Sequence, residues 1–216
     1  MRPLPRLHAV TDAAILALPD FPVRAAAIAA AGPAVALHAR DRTAPARRLV
    51  AVTAKLLAHA AAPEAAVFVN ARPDIAAALG AHGVQLGLDD LPASDARGVL
   101  EGQTPAGPRR IWIGVSVHSM AEAEQALREG ADFLMAGSIY PTATHPGVPA
   151  AGLELVRQVA SLGRPVIAIG GITAARAAQV RDAGAWGVAA VTALWRAEDP
   201  AQAALDLLAP WMDRDG

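Results

Sequence analysis

A chain of 216 residues, 54% of them hydrophobic, can bury a sizeable core, which excludes an intrinsically disordered protein. A formal net charge of -1 lacks the basic footprint of a nucleic-acid binder, and the absence of cysteine excludes a disulfide framework and thiolate metal sites. Met1-Arg2-Pro3-Leu4-Pro5 does not read as a signal peptide, and the apolar stretches are alanine-rich and interrupted, so a soluble, cytoplasmic protein without nucleic-acid or membrane partners is expected.

The predicted elements keep one rhythm. Residues 7–10 read as a short strand ending at Thr11-Asp12, and an Ala/Leu-rich helix follows over 13–31 until Gly32-Pro33 breaks it. A strand over 34–38 leads into the polar stretch Ala39-Arg40-Asp41-Arg42-Thr43, and a helix over 45–60 opens with Pro45 in its first turn. A third strand over 66–69 stops at Asn70-Ala71-Arg72, before a helix from Pro73 to Leu79 that ends at Gly80. The fourth strand, 84–87, passes through Asp89-Asp90-Leu91-Pro92 into a helix ending near Leu100, and a Gly/Pro-rich loop covers 101–108. The fifth, 111–115, continues into Ser116-Val117-His118-Ser119, where Ser119 and Glu122 form the capping box of a helix reaching Glu129. A sixth strand over 132–136 precedes the longest loop, 137–149, and a helix over 153–162. Strand seven, Val166-Ile167-Ala168-Ile169, is apolar throughout, as a strand buried on both faces must be. Gly170-Gly171 then turns the chain with positive φ, and Thr173 is placed to N-cap a helix over 174–182. A last strand over 187–191 and a closing helix over 200–211 complete the chain.

Eight strand-then-helix units without a second composition block predict an α/β fold, a (β/α)8 TIM barrel, as one domain over 1–216. A doubly wound parallel sheet is the competing arrangement. In a barrel, chemistry gathers at the C-terminal ends of the strands. His8, His38, His118 and His145 fall at that face, whereas His59 and His82 lie elsewhere and are expected to be solvated. Strand, glycine turn and helix N-terminus around Gly170-Gly171 form a cradle for one phosphate, to which Val191 and Thr192 can add backbone donors. His118 is the candidate for acid–base work, since an imidazole titrating near ~6.5 can take and return a proton. A loop histidine bonded to local backbone is its bland alternative. His8 and His38 could line the pocket floor or be satisfied core residues, and Arg40 could bind a carboxylate or phosphate or sit in a solvated ion pair. Asp89-Asp90 could ligate Mg²⁺, but no neighbouring strand end supplies a second carboxylate, because Ala71 follows Asn70; no metal and no cofactor are expected.

Several stretches, in order and spacing, carry a resemblance over nearly the whole chain. They are Leu7-His8-Ala9-Val10-Thr11-Asp12, Gly83-Val84-Gln85-Leu86-Gly87, Asp90-Leu91-Pro92, and Ile113-Gly114-Val115-Ser116-Val117-His118-Ser119. Ala131-Asp132, Gly137-Ser138-Ile139-Tyr140-Pro141-Thr142, Ile167-Ala168-Ile169-Gly170-Gly171-Ile172-Thr173 and Gly187-Val188-Ala189 continue the series. The chain resembles the family of thiamine phosphate synthase and its sister, the thiazole tautomerase TenI. The synthase pattern has Asn-Asp-Arg where this chain has Asn70-Ala71-Arg72, and Gln-Leu-Arg-Glu-Lys where it has His38-Ala39-Arg40-Asp41-Arg42. It also has a histidine in place of Gln85 and a loop lysine in place of His145. Each departure moves towards the tautomerase.

The resemblance thus implies aromatisation of a carboxythiazole phosphate in thiamine biosynthesis by proton transfer without metal. His118 would carry the proton, assisted or covered by His145. Gly170, Gly171, Val191 and Thr192 would hold the phosphate, and His8, His38, Arg40, Gln85, Ser116 and Ser138 would contact substrate. A Mg²⁺-dependent thiamine phosphate synthase is the nearest alternative, and a non-catalytic protein binding a thiamine intermediate is the alternative from another class. The sequence leaves a homo-oligomer open.

Overall fold

The computed structural model describes residues 2–102, 111–142 and 149–212. Eight parallel strands close on themselves in sequence order: β1 (Leu7–Val10), β2 (Val35–Ala39), β3 (Ala66–Asn70), β4 (Gly83–Leu86), β5 (Trp112–Val117), β6 (Phe133–Ala136), β7 (Val166–Ile169) and β8 (Gly187–Ala190). Pairing of Leu7 with Val188 joins the last strand to the first and leaves no open edge. The predicted TIM barrel is therefore observed, and the doubly wound sheet is ruled out by that closure.

The helices alternate with the strands: α1 (Ala13–Leu16), α2 (Phe21–Ala29), α3 (Ala46–Ala61), α4 (Pro73–Leu79), α5 (Ala93–Gly102), α6 (Met120–Arg128), α7 (Gly152–Ala160), α8 (Ala174–Asp182), α9 (Thr192–Trp195) and α10 (Pro200–Met212). The first predicted helix is in fact two. Asp12 Oδ1 accepts the Ile15 N–H at 2.8 Å and starts α1, but Pro19 restricts Leu18 and cannot donate to the preceding turn, so the chain restarts at α2. Pro45 is the N-cap of α3 and not its first helical residue. Short α9, absent from the sequence reading, buries Trp195, whose ring stacks on Phe21 at 5.3 Å. Four residues are too few to show a helical period.

Two apolar layers hold the barrel. Outward-facing strand residues such as Leu37, Val67 and Leu134 pack against the helices, and a second cluster around Phe68, Phe133 and Ile167 fills the interior. Glycines make that interior possible. A Cβ on Gly83 would sit 2.1 Å from the Phe68 ring, and one on Gly114 would sit 2.1 Å from the Phe133 ring. The two rings meet edge-on at 5.9 Å. At the N-terminal end, Trp112 Nε1 donates to the Arg2 carbonyl and Trp186 Nε1 to the Leu4 carbonyl, while the Arg6 guanidinium lies 3.6 Å over the Trp186 ring. The segment preceding β1 thus covers the bottom of the barrel, and the mouth at the other end is the place left for a site.

Candidate functional site

A cavity of about 680 Å³ opens at the C-terminal ends of the strands. Of the residues singled out in the sequence, Arg40, Gln85, Ser116, His118, Ser138, Gly170, Gly171, Val191 and Thr192 line it. His8 and His38 do not. Both are fully buried one layer lower, so direct contact with substrate is replaced by a core position. His145 lies outside the described residues. His82 is not simply solvated either: its Nδ1 accepts the Val67 N–H at 3.0 Å.

At one side of the mouth the chain turns at Gly170 (φ +99°) and Gly171 (φ +63°), the left-handed region that favours glycine. A Cβ on Gly170 would meet Ser138 Cβ at 2.6 Å, and one on Gly171 would meet the Pro141 carbonyl oxygen at 2.6 Å. The turn is held from outside. Ile139 and Tyr140 donate their N–H groups to the Ile169 and Gly170 carbonyls, and Arg176 Nη1 donates to the Gly171 carbonyl at 2.6 Å with its guanidinium 4.4 Å from the Tyr140 ring. Thr173 occupies the N-cap of α8 in an extended conformation, but its side chain makes no capping hydrogen bond. The expected cap is therefore positional only.

His118 follows directly on β5, which runs two residues beyond the predicted strand end, and its side chain is 59% exposed. The predicted capping box is displaced by one residue. Ser119 Oγ accepts the Glu122 N–H at 3.3 Å, as expected, but the Glu122 carboxylate reaches back past Ser119 to the His118 N–H at 2.6 Å. The same oxygen, Oε2, lies 3.2 Å from His118 Nδ1. A neutral imidazole donates there from Nδ1–H, which leaves the Nε2 lone pair as the base. Glu122 was missed as a site residue, although the capping-box spacing was the signal that could have found it.

The opposite wall is charged. The buried Thr11 hydroxyl accepts the Arg40 N–H at 2.9 Å and fixes the backbone after β2. Burial, and then Arg42, pull the Arg40 guanidinium below its ordinary range, while Asp12, Asp41 and Asp90 oppose that shift. Asp90 Oδ2 already accepts the Gly87 N–H at 2.6 Å. Ala71, at the end of β3, sits at φ +61°, a region Asn and Asp tolerate better than alanine, and brings no carboxylate. Among the described residues no three His, Asp or Glu side chains converge as metal ligands; Asp89 and Asp90 line the cavity without a carboxylate from Ala71 beside them. On the floor, Gln85 Nε2 donates to Ser116 Oγ at 3.0 Å, while Gln85 Oε1 is buried with no partner among the described residues.

Below the floor, burial pushes His38 down to about 4, with Arg40 acting in the same direction, and pushes His8 well below its ordinary value, with His38 adding to the effect. Unfolded imidazoles bind a proton near ~6.5, so between there and about 4 the unfolded chain takes up protons that the folded chain refuses. Stability is complete above that window and falls as pH drops through it, by about 3 kcal/mol for His38 alone. Urea unfolding at stepped pH is expected to show this loss. A flat profile between pH ~7 and ~4.5 would mean that the imidazoles are not held neutral.

Eight parallel strands with a site at their C-terminal ends define a TIM-barrel enzyme. The chain belongs to the family described as thiamine monophosphate synthase, TMP-TENI, whose model matches residues 7–194. It is 41% identical over 171 residues to the thiamine-phosphate synthase of Roseiflexus castenholzii, covering 78% of this chain and 72% of that protein. It is 38% identical over 210 residues to the thiamine-phosphate synthase of Chloroflexus aurantiacus, covering 94% and 91%. A solved thiamine phosphate pyrophosphorylase from Pyrococcus furiosus superposes with a TM-score of 0.79 at 33% identity, over 98% of this chain and 97% of that one. The curated relatives thus carry the synthase name, which the sequence analysis placed second. No helix among the described residues is long and apolar enough to cross a membrane.

Proposed function

We propose that this chain aromatises a carboxythiazole phosphate by proton transfer, without a metal ion. The observation that carries the reading is Ala71: the end of β3 lacks the carboxylate that the synthase pattern places there. A departing pyrophosphate needs its charge neutralised, whereas a proton shift on a monophosphate does not. His118, which lines the cavity and has Nδ1 beside Glu122, takes a proton through Nε2 from one carbon of the non-aromatic ring system and returns it to another. The atoms balance within the substrate, and the imidazole ends as it began. Gly170, Gly171, Val191 and Thr192 hold the phosphate through backbone donors at the ends of β7 and β8. The substrate is a small molecule met in solution, and no cofactor enters.

Synthase activity is the second reading, favoured by the names of the two curated relatives. Under it, hydroxymethylpyrimidine pyrophosphate and thiazole phosphate would be joined with the help of a Mg²⁺ ion whose ligands would come largely from substrate and water. One paired assay separates the two. Incubation with the non-aromatic tautomer is expected to raise thiazole absorbance faster than the spontaneous reaction, and incubation with both synthase substrates and Mg²⁺ is expected to yield no thiamine phosphate. Coupled product at steady turnover would overturn the proposal in favour of the synthase.

A further inference from the structure

Apart from Arg24, helix α2 carries apolar residues only. That one polar side chain is turned sideways, with Nε donating to Asp20 Oδ2 at 2.8 Å and Nη1 to the Ala197 carbonyl at 2.7 Å. Phe21, Ala25 and Ile28 are buried on the inner side, yet Val23 on the outer side is 70% exposed, and Pro22 and Ala26 are exposed with it. A helix that is apolar all round is normally covered all round. Its neighbours continue the patch, since α2 packs between α10 and α3. On α10, Leu205, Ala209 and Met212 share one outer face at i, i+4 and i+7, and Leu205 and Met212 are 42% and 62% exposed. On α3, the exposed Ala51, Ala54 and Ala58 fall on one face in the same way. Helices α2, α10 and α3 have 9, 13 and 16 residues. They are therefore about 14, 20 and 24 Å long, and at about 10 Å spacing they offer about 600 Å² before side-chain relief is counted. That approaches the ~800 Å² each partner buries in a stable complex.

We propose that the face formed by α10, α2 and α3 joins two copies of this chain about a twofold axis running along α2. Such an axis lays α2 on the α2 of the second copy and each α10 on the other copy's α3. The charges favour that occupant. Helix α3 carries Arg47, Arg48 and Lys55 and no acid, whereas the one charged residue of α10 is Asp206. Lys55 and Asp206 are both exposed and both stand near the middle of their helices, so the twofold brings them together across the interface, once on each side of the axis. The alanines suit the same occupant: they let two helices approach closely, but would insert little apolar surface into a membrane. The patch lies on the flank of the barrel and the cavity opens at the strand ends, so both mouths stay open in the pair. The pairing rests on the fold alone and is independent of the proposed reaction.

Sedimentation velocity of the full chain is expected to give twice the 22.1 kDa mass of one copy. Val23→Asp places a charge at the centre of the face, in the first turn of α2 where an acid suits the helix, and should leave a monomer with an unchanged far-ultraviolet circular dichroism spectrum. Lys55 is the only lysine of the sequence, so carbodiimide coupling has a single lysine side chain to use. In a mixture of nitrogen-15-labelled and unlabelled chains, mass spectrometry is expected to find Lys55 of one kind coupled to Asp206 of the other. Lys55→Glu or Asp206→Lys alone should weaken the dimer by about three- to tenfold, and the two together should restore it. A monomeric wild-type chain, a dimer that survives Val23→Asp, or coupling confined to single chains would each overturn the proposal. A monomer that is retained by phosphatidylglycerol vesicles would give the face to a membrane instead.

Discussion

Replacing His118 by asparagine is expected to slow aromatisation of the thiazole by about 10²–10⁴-fold, the usual contribution of a positioned acid–base group, with affinity for the phosphorylated ligand unchanged. Asparagine keeps a polar side chain of similar reach and leaves the backbone N–H that Glu122 accepts, so the start of α6 stays in place. What disappears is the only imidazole in the described part of the cavity lining, and with it the group proposed to take and return the proton. Stopped-flow turnover and ligand titration separate the two quantities. A selective fall in kcat identifies His118 as the proton carrier. Unaltered turnover relative to the wild-type chain would instead support the non-catalytic, intermediate-binding alternative. Glu122→Gln is the gentler companion, because it retains a hydrogen-bond acceptor beside His118 Nδ1, and kcat is expected to fall by less than in the asparagine variant.

Most of the barrel was legible because parallel strands covered on both faces must be apolar runs, and Gly80 closes α4 with positive φ where the sequence leads one to look. The glycine turn after β7 and the placement of His118 at a strand end were legible for the same reason: both are local. What stayed hidden depends on height within the barrel. In a strand buried on both sides, residue order does not say whether His8 or His38 faces the mouth or the layer beneath it, and the structure puts both in that lower layer. Nor does a capping box announce that its acid will reach one residue further back and hold His118 rather than Ser119. On the proposed reading the choice between the two chemistries rests on Ala71, a single position that an identity of 41% over 171 residues does not resolve.

Gly170→Ala is expected to weaken binding of the phosphorylated ligand by about tenfold or more, with a smaller loss of stability. The residue sits at φ +99°, where an L side chain is strained, and the added methyl group would lie 2.6 Å from Ser138 Cβ and 2.7 Å from Ser138 Cα. Neither neighbour can withdraw easily. The segment carrying Ser138 is pinned to the end of β7 by the Ile139 and Tyr140 N–H groups, which donate to the Ile169 and Gly170 carbonyls at 2.9 and 3.0 Å. Relief must therefore come from rotation of the Gly170-Gly171 peptides, which redirects the N–H groups that the phosphate requires. Each misdirected donor to an anion costs about 1.5–3 kcal/mol, so one lost bond already gives the predicted change. Titration with inorganic phosphate and with the thiazole phosphate checks it, and both should weaken in parallel because the same anion site serves both. If the variant binds each as tightly as the wild-type chain, the phosphate is not held at this turn, and the orientation of substrate towards His118 across the cavity is lost with it.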